Sequence, residues 1–284
     1  MDLVSVIVPC YNSGETIKKT IESIQEQTWK NIEIIVVDDG SDELVTLEKL
    51  EQLNGIKILK QKNMGLSAAR NNGIKKSKGD YILPLDADDW LDPNAIDSML
   101  RLIKNTKKKF VFSNFILEGD RKGLLAKNYN FFDQLFLNQI PYCILHPKKY
   151  WTKVGGYDEN MTNGYEDWEY NIRLGSIGIS GICDKSNTFH YLVNAKGMLL
   201  SKSLKNHSQL WSYIQNKHTS LYKIKTIWKI WKKWNNHKSN HSFLFYFCLF
   251  ILHKFLPKIF FNLIFQYSIR IKNNNWKTKL FKVY

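Results

Sequence analysis

No aspartate or glutamate occurs after Asp184 in this 284-residue chain. All 26 carboxylates lie in residues 1–184, whereas residues 185–284 hold 17 Lys and one Arg. Of the net charge of +15, the last stretch therefore carries +18, which leaves −3 for the remainder. A mildly acidic body joined to a basic tail predicts a polyanionic partner, either nucleic acid or an anionic membrane surface.

Other absences narrow the class further. Cys10, Cys143, Cys183 and Cys248 lack metal-ligand spacing, which predicts free thiols in a reducing compartment. No G-x-G-x-x-G follows the first apolar run, so a dinucleotide cofactor has no phosphate loop, and no G-x-x-x-x-G-K-[ST] supports a P-loop NTPase. Cys10–Gly14 is not the Gly-rich, Arg/Lys-bearing loop that a nucleotidyltransferase would need after the first strand. The opening MDLVSVIVPCYN has neither a basic stretch nor a small-residue cleavage site, so no signal peptide and a cytoplasmic body are expected. The longest apolar run, Phe243–Leu252, is ten residues. That is about half of what spans a bilayer.

What remains is a globular composition with a regular alternation. Val4–Val8, Ile32–Val37, Ile56–Leu59 and Tyr81–Leu85 read as buried strands. Between them Ile17, Ile21 and Ile24, then Leu44, Leu47, Leu50 and Leu53, then Ser67–Ile74 follow helical spacing. This order predicts right-handed βαβ units and a parallel α/β sheet. Ligands of such sheets gather beyond the carboxyl ends of the strands. Pro9-Cys10-Tyr11-Asn12, Asp38-Asp39 and Asp86-Ala87-Asp88-Asp89 should therefore meet at one edge. Phe110–Phe115 reads as a further strand, the rest of 110–150 as mixed structure, and Glu166-Asp167 as the start of a helix carrying Trp168, Ile172 and Leu174.

Carboxylates crowded at a strand end repel one another unless a cation neutralises them. Mg²⁺ and Mn²⁺ take one or two protein carboxylates and complete their shell with substrate phosphates, which makes Asp86 and Asp88 candidate metal ligands. Asp92, followed by Pro93, is expected to cap the next helix.

The segments VSVIVPCYN, EIIVVDDGS, NMGLSAARNNGI, GDYILPLDADDWLDP and GGYDE…GYEDWEYNIRL stand in the order of the family 2 glycosyltransferases, which the chain resembles over residues 3–200. The resemblance implies a GT-A fold, Rossmann-like with a mainly parallel central sheet, and sugar transfer with inversion from a nucleotide-sugar donor. It implies that Pro9 and Tyr11 pack against the nucleotide base and that Asp39 accepts from its N–H, with Asp38 bracing the turn. Arg70 would lie near the diphosphate or donor sugar. Asp88 would be the main metal ligand, with Asp86 and Asp89 touching ribose, sugar or metal-bound water. Asp167 matches the family's base, and Glu166 would contact the acceptor.

One stretch departs from the pattern. Where many relatives carry Tyr-Arg-x-His, this chain has HYLVNAKGM, with Leu192 at the Arg position and Asn194 at the His position. His190 would have to reach the metal from elsewhere on its strand. The departure leaves a rival reading, a non-catalytic membrane-bound protein of the same fold that binds nucleotide-sugar or glycan.

In the tail, Leu210, Trp211, Ile214, Leu221, Ile224, Ile227, Trp228, Trp231 and Trp234 fall at helical spacing with lysines between them. An aromatic stripe beside lysines predicts an interfacial helix. Residues 1–204 then form the catalytic domain, and 205–284 a basic, aromatic-rich region lying on the cytoplasmic face of the cell membrane. The acceptor would be a lipid-linked or surface glycan. Nucleic acid is the weaker alternative, because one Arg against 17 Lys suits base readout poorly. A helical subdomain packed on the body is the other.

Overall fold

A computed structural model of the chain describes residues 2–107, 109–194 and 202–265. The expectations for 266–284 lie outside the described residues. The element order is β1 (Val4–Cys10), α1 (Ile17–Gln25), β2 (Ile32–Asp38), α2 (Leu44–Glu51), β3 (Lys57–Lys60), α3 (Leu66–Lys76), β4 (Tyr81–Pro84), β5 (Trp90–Leu91) and α4 (Ala95–Lys104). It continues with β6 (Phe110–Gly119), β7 (Gly123–Leu125), α5 (Phe131–Gln134), β8 (Ile144–Pro147), α6 (Lys148–Val154), α7 (Glu166–Ser176) and β9 (Gly181–Val193). Three more helices follow, α8 (His207–Lys217), α9 (Ile224–Trp234) and α10 (Phe243–Phe255).

The sheet order is β3-β2-β1-β4-β8-β6-β9-β5, with β7 paired to β6. β3, β2, β1 and β4 are parallel, as the unbroken apolar runs predict. Their register places Cys10 opposite Asp38, and Ile7 opposite Pro84. The three strand ends therefore share one edge. β8 turns antiparallel beside β4, and β9 runs parallel to β6. β5 lies antiparallel on β9, pairing Trp90 with His190, which folds the chain just after Asp86–Asp89 back against the far half of the sheet.

Alternation along each strand splits the core into two layers. Val4, Val6, Val8 and Val36 face α1, α2 and α4. Ile7, Ile35 and Val37 face α3 and α7, and the same layer contains residues of α8, α9 and α10. α3 can approach β1 only through Gly73, where a Cβ would stand 2.5 Å from Ile7 Cγ2.

The periodic stretch over 210–234 is two helices, broken at 218–223. Trp211, Ile214 and Ile227 are buried in the body's core, and so are Tyr246 and Phe250 of α10. The described part of the tail is thus packed on the body, and residue 204 does not separate two cores. Among the described residues no helix is long and apolar enough to cross a membrane. Asp92 does not cap α4 as expected. Asn94 is the N-cap residue, and the Asp92 carboxylate instead takes His190 Nε2 at 3.0 Å. The β5–β9 pairing brings that imidazole to it, a partner 98 residues away.

Candidate active site

The site is built from side chains at the shared strand edge. At the end of β1, Asn12 adopts a left-handed conformation with φ 49°. Its Oδ1 accepts from the N–H groups of Asp42 and Glu43 at 3.0 and 3.2 Å, tying this edge to the entry of α2. Asp38 Oδ1 accepts from Ser41 N–H at 2.9 Å, the bracing expected of it. Asp39 is buried, and its carboxylate accepts from Gln61 Nε2 (2.7 Å), Met64 N–H (2.8 Å) and Gly65 N–H (2.8 Å). It thereby fixes the start of α3. Pro9 is buried within β1, and Tyr11 is 47% exposed beside it.

α3 delivers Arg70, whose side chain is fully buried. Nη2 donates to Asp86 Oδ1 and Nη1 donates to Glu166 Oε1, each at 2.7 Å. The guanidinium also lies 4.8 Å from the Tyr142 ring centroid and 5.5 Å from that of Tyr157. One side chain thus joins α3, the end of β4 and the head of α7. Arg70 Nε is buried without a hydrogen-bond partner, so one strong donor remains for an oxygen of a bound ligand.

Asp86 and Glu166 pair with this cation, Asp167 feels its charge, and Asp88 and Asp89 crowd against Asp86. Asp89 is buried and accepts from the Leu192 N–H at 2.8 Å and from the Tyr142 hydroxyl. Burial and the charges of Asp88 and Asp86 push it well above the usual carboxylate range. The Tyr142 oxygen in turn accepts from the Asp86 N–H at 2.9 Å. Leu192, which departs from the pattern expected from the sequence, contributes its backbone.

Asp88 is half-buried, and burial followed by the charge of Asp86 pushes it up to about 6. His190 lies away from this pair, stacked on Trp90 at 5.1 Å and held between Asp92 and Glu118. Asn194 sits exposed just past β9. Among the described residues no group of three or more His, Cys, Asp or Glu could hold a metal. The pair Asp86 and Asp88 nevertheless suits a hard cation that completes its shell with phosphate oxygens. Asp88 is raised first by burial and then by the charge of Asp86, and a cation there would offset both.

Asp167 opens α7. Its Oδ2 accepts from Asn138 Nδ2 at 2.9 Å and its Oδ1 from the Trp168 N–H at 2.7 Å. Burial and the neighbouring Glu166 raise it to about 7, against the opposing pull of Asn138 and Arg70. The residue before the pair, Tyr165, has φ 65°, rare for a bulky side chain. Such strain costs on the order of 1–3 kcal/mol and collects at functional sites.

Of the residues singled out from the sequence, Asp86, Glu166 and Asp167 stand around Arg70 and Asp88 and Asp89 adjoin Asp86, whereas Tyr11, Pro9 and Asp39 do not join them. Those three stand at the adjoining β1–β2 edge. Sequence reasoning missed Asn138, Tyr142 and Tyr157.

With this geometry in place, comparison with known proteins is decisive. The family model for glycosyl transferase family 2 matches residues 5–163. The chain belongs to that family. It is 29% identical over 218 residues to "Glycosyltransferase GlyA" of Streptococcus pneumoniae, covering 72% of this chain and 30% of that one. It is 31% identical over 250 residues to an uncharacterized glycosyltransferase of Rickettsia bellii, covering 78% and 35%. These alignments span about a third of each relative's length. A third relative, the Escherichia coli "UDP-Glc:alpha-D-GlcNAc-diphosphoundecaprenol beta-1,3-glucosyltransferase WfaP", is 29% identical over 236 residues, covering 74% of this chain and 90% of WfaP. In fold the chain matches S. aureus TarS 1-349, solved in complex with UDP-GlcNAc, with a TM-score of 0.67 at 17% identity over 82% of this chain and 72% of that one. The GT-A architecture is that of this family.

Proposed function

We propose that this family 2 member transfers a sugar, with inversion, from a UDP-sugar to a hydroxyl of a lipid-linked or surface-glycan acceptor. The observation that carries the proposal is the buried Arg70, which links Asp86 of the candidate metal pair to Glu166 beside the candidate base. The name of WfaP, whose sugar donor is UDP-Glc and whose acceptor is a diphosphoundecaprenol-linked GlcNAc, supports the same donor and acceptor classes here.

In the reaction, Asp167 takes the proton of the acceptor hydroxyl as its oxygen forms a bond to the anomeric carbon. The bond from that carbon to the diphosphate oxygen breaks, and its electron pair leaves with the nucleoside diphosphate. A base held near 7 is matched to this task, since proton transfer is most effective when the catalytic group's pKa lies near the working pH. Asp86 and Asp88 would hold Mn²⁺ or Mg²⁺, whose chemistry is to neutralise charge growing on the leaving diphosphate. Arg70 orients Asp86 and Glu166, and its free Nε–H is available to a phosphate or sugar oxygen. Pro9 and Tyr11 would pack against the nucleotide base, with Asp39 accepting a hydrogen bond from its N–H.

The lysine-rich helices would hold the protein peripherally on an anionic membrane, at the cytoplasmic face where lipid-linked precursors are built. The outward faces of α9, α10 and the helical run over 258–265 support this placement. They expose Trp228, Leu244, Phe255, Ile259 and Phe260.

Purified protein with Mn²⁺ and a panel of nucleotide sugars tests the proposal by UDP release and by transfer to a GlcNAc-diphospholipid. Turnover of one UDP-sugar is expected. Donor binding without turnover would favour the non-catalytic rival.

A further inference from the structure

The C-terminal helices do more than cover the core, because α8 grips the segment that aims the base. His207 begins α8 and is almost fully buried. Its Nδ1 lies 2.9 Å from the hydroxyl of Tyr165, the residue with φ 65° that turns the chain into Glu166-Asp167. The imidazole is stacked on Phe265 at 3.7 Å and on Trp168 at 6.1 Å, so it cannot swing away without breaking an aromatic column. Burial lowers its pKa to about 3, which keeps it neutral over the working range. Its other ring nitrogen has no hydrogen-bond partner.

α8 holds the same segment at further points. Tyr213 Oη and Lys217 Nζ donate to Asp158 Oδ2 at 2.8 and 2.7 Å. On α7 itself, Lys217 and His218 reach Glu169 Oε1 at 3.0 and 2.8 Å. Nothing in the proposed chemistry uses these contacts. Their common effect is to fix where the loop ends and α7 begins.

We propose that His207 is a positioning residue for Asp167, acting through Tyr165 to hold the left-handed turn that directs the carboxylate into the site. The inference rests on the reading of Asp167 as base. A misplaced base loses transition-state stabilisation while donor binding, made by β1, β2 and the Asp86–Asp89 loop, is untouched.

The test compares two replacements of unlike chemistry in the full chain. His207→Phe keeps an aromatic ring in the column and loses the polar atom. His207→Asn keeps a polar atom near the Nδ1 position and loses the ring. UDP release from UDP-glucose and UDP-GlcNAc is followed with Mn²⁺, UDP affinity by calorimetry, and the melting temperature alongside. His207→Phe should lower kcat about tenfold or more, with UDP affinity within about twofold. His207→Asn should recover most of kcat although it melts lower. Tyr165→Phe should lose as much as His207→Phe, and the double variant no more than either, because one bond is removed in each. Activity that follows melting temperature across the set would overturn the inference, as would an unchanged kcat in His207→Phe. Asp167→Asn is the reference. If it is inactive while His207→Phe is fully active, only the positioning role falls; if it is itself active, the base reading falls and takes the positioning role with it.

Discussion

Asn138 offers the sharpest test of Asp167 as the base. Its Nδ2 donates to Asp167 Oδ2 at 2.9 Å, and its Oδ1 is held by Gln134 Nε2 at 3.1 Å. The bond stabilises the ionised carboxylate and so opposes the burial that raises it to about 7. A hydrogen bond to a charged group is worth about 1.5–3 kcal/mol, and one pH unit corresponds to about 1.36 kcal/mol, so removing it should raise the pKa by about one to two units. Asn138→Leu is the suitable change, because alanine would admit a water able to replace the donor. The acid limb of kcat against pH, measured by UDP release, should move to higher pH by that amount, with activity regained in alkaline buffer. A limb that stays in place or moves to lower pH would refute Asp167 as the titrating base. Stability carries the same signature. Burial and the charge of Glu166 raise the carboxyl's pKa on folding, so from the ordinary carboxylate range up to the raised value the folded state holds the extra proton. Stability must then fall as pH rises through that window. Asp167→Asn should consequently melt higher than the parent at pH 8 and gain little at pH 4.

Asp88→Asn should abolish metal-dependent UDP release while leaving the circular dichroism spectrum intact and melting no lower than the parent, since it removes a carboxylate whose pKa is raised by folding; near-normal turnover at saturating Mn²⁺ would remove Asp88 from the metal. Arg70→Met strips the partner from two carboxylates, one buried and one mostly so, and should cost about 3–5 kcal/mol in urea unfolding; a loss below 1 kcal/mol would show that the pairs are not formed. Asp39→Ala leaves the Met64 and Gly65 N–H groups without their acceptor, so it should weaken UDP binding and cost about 1–3 kcal/mol of stability, and unchanged UDP affinity would separate Asp39 from the nucleotide site. Full-length protein should sediment with anionic vesicles, less so at high salt but not to zero; retention of nucleic acid with no vesicle binding would reassign the basic surface.

How much of this was readable beforehand depends on what holds each residue. The parallel half of the sheet was legible because Val4–Val8 and Ile32–Val37 are unbroken apolar runs that end in carboxylates, a local signal. The strand-end rule pointed to Asp86–Asp89 at the sheet edge, and Arg70, Glu166 and Asp167 were singled out by the family motifs, not by any spacing. Tyr142 and Asn138 were not legible. Their partners lie 53 and 29 residues away, and no periodicity or spacing marks a tyrosine or asparagine whose role exists only after folding. Asp92 misled for a related reason: Asp-Pro is a sound local cap signal, but a histidine brought in by β9 claimed the carboxylate.

The tail shows a different limit. Helical spacing of apolar residues says that one face avoids water, not what covers it. On α8 and α9 the answer is the body, through Trp211, Ile214 and Ile227. α10 is apolar nearly all round, and a helix of that kind needs cover on both sides. Tyr246 and Phe250 turn inward while Leu244, Leu252 and Phe255 face out. The run over 258–265 repeats the arrangement, with Phe261 buried and Ile259, Phe260 and Leu263 exposed. The protein core accounts for the inner faces alone. For the outer faces, the proposed partner would offer apolar surface and negative charge together, since among the described residues Lys225, Lys229, Lys232, Lys233, Lys254 and Lys258 stand on these helices and no carboxylate does. An anionic bilayer offers both, and each Lys near it can contribute on the order of 1 kcal/mol. Screening within about 8 Å at physiological salt weakens that contribution, but not the burial of Phe255 or Ile259 in the acyl boundary. The proposed membrane placement therefore rests on two separate features of the chain, its charge asymmetry and its double-faced helix.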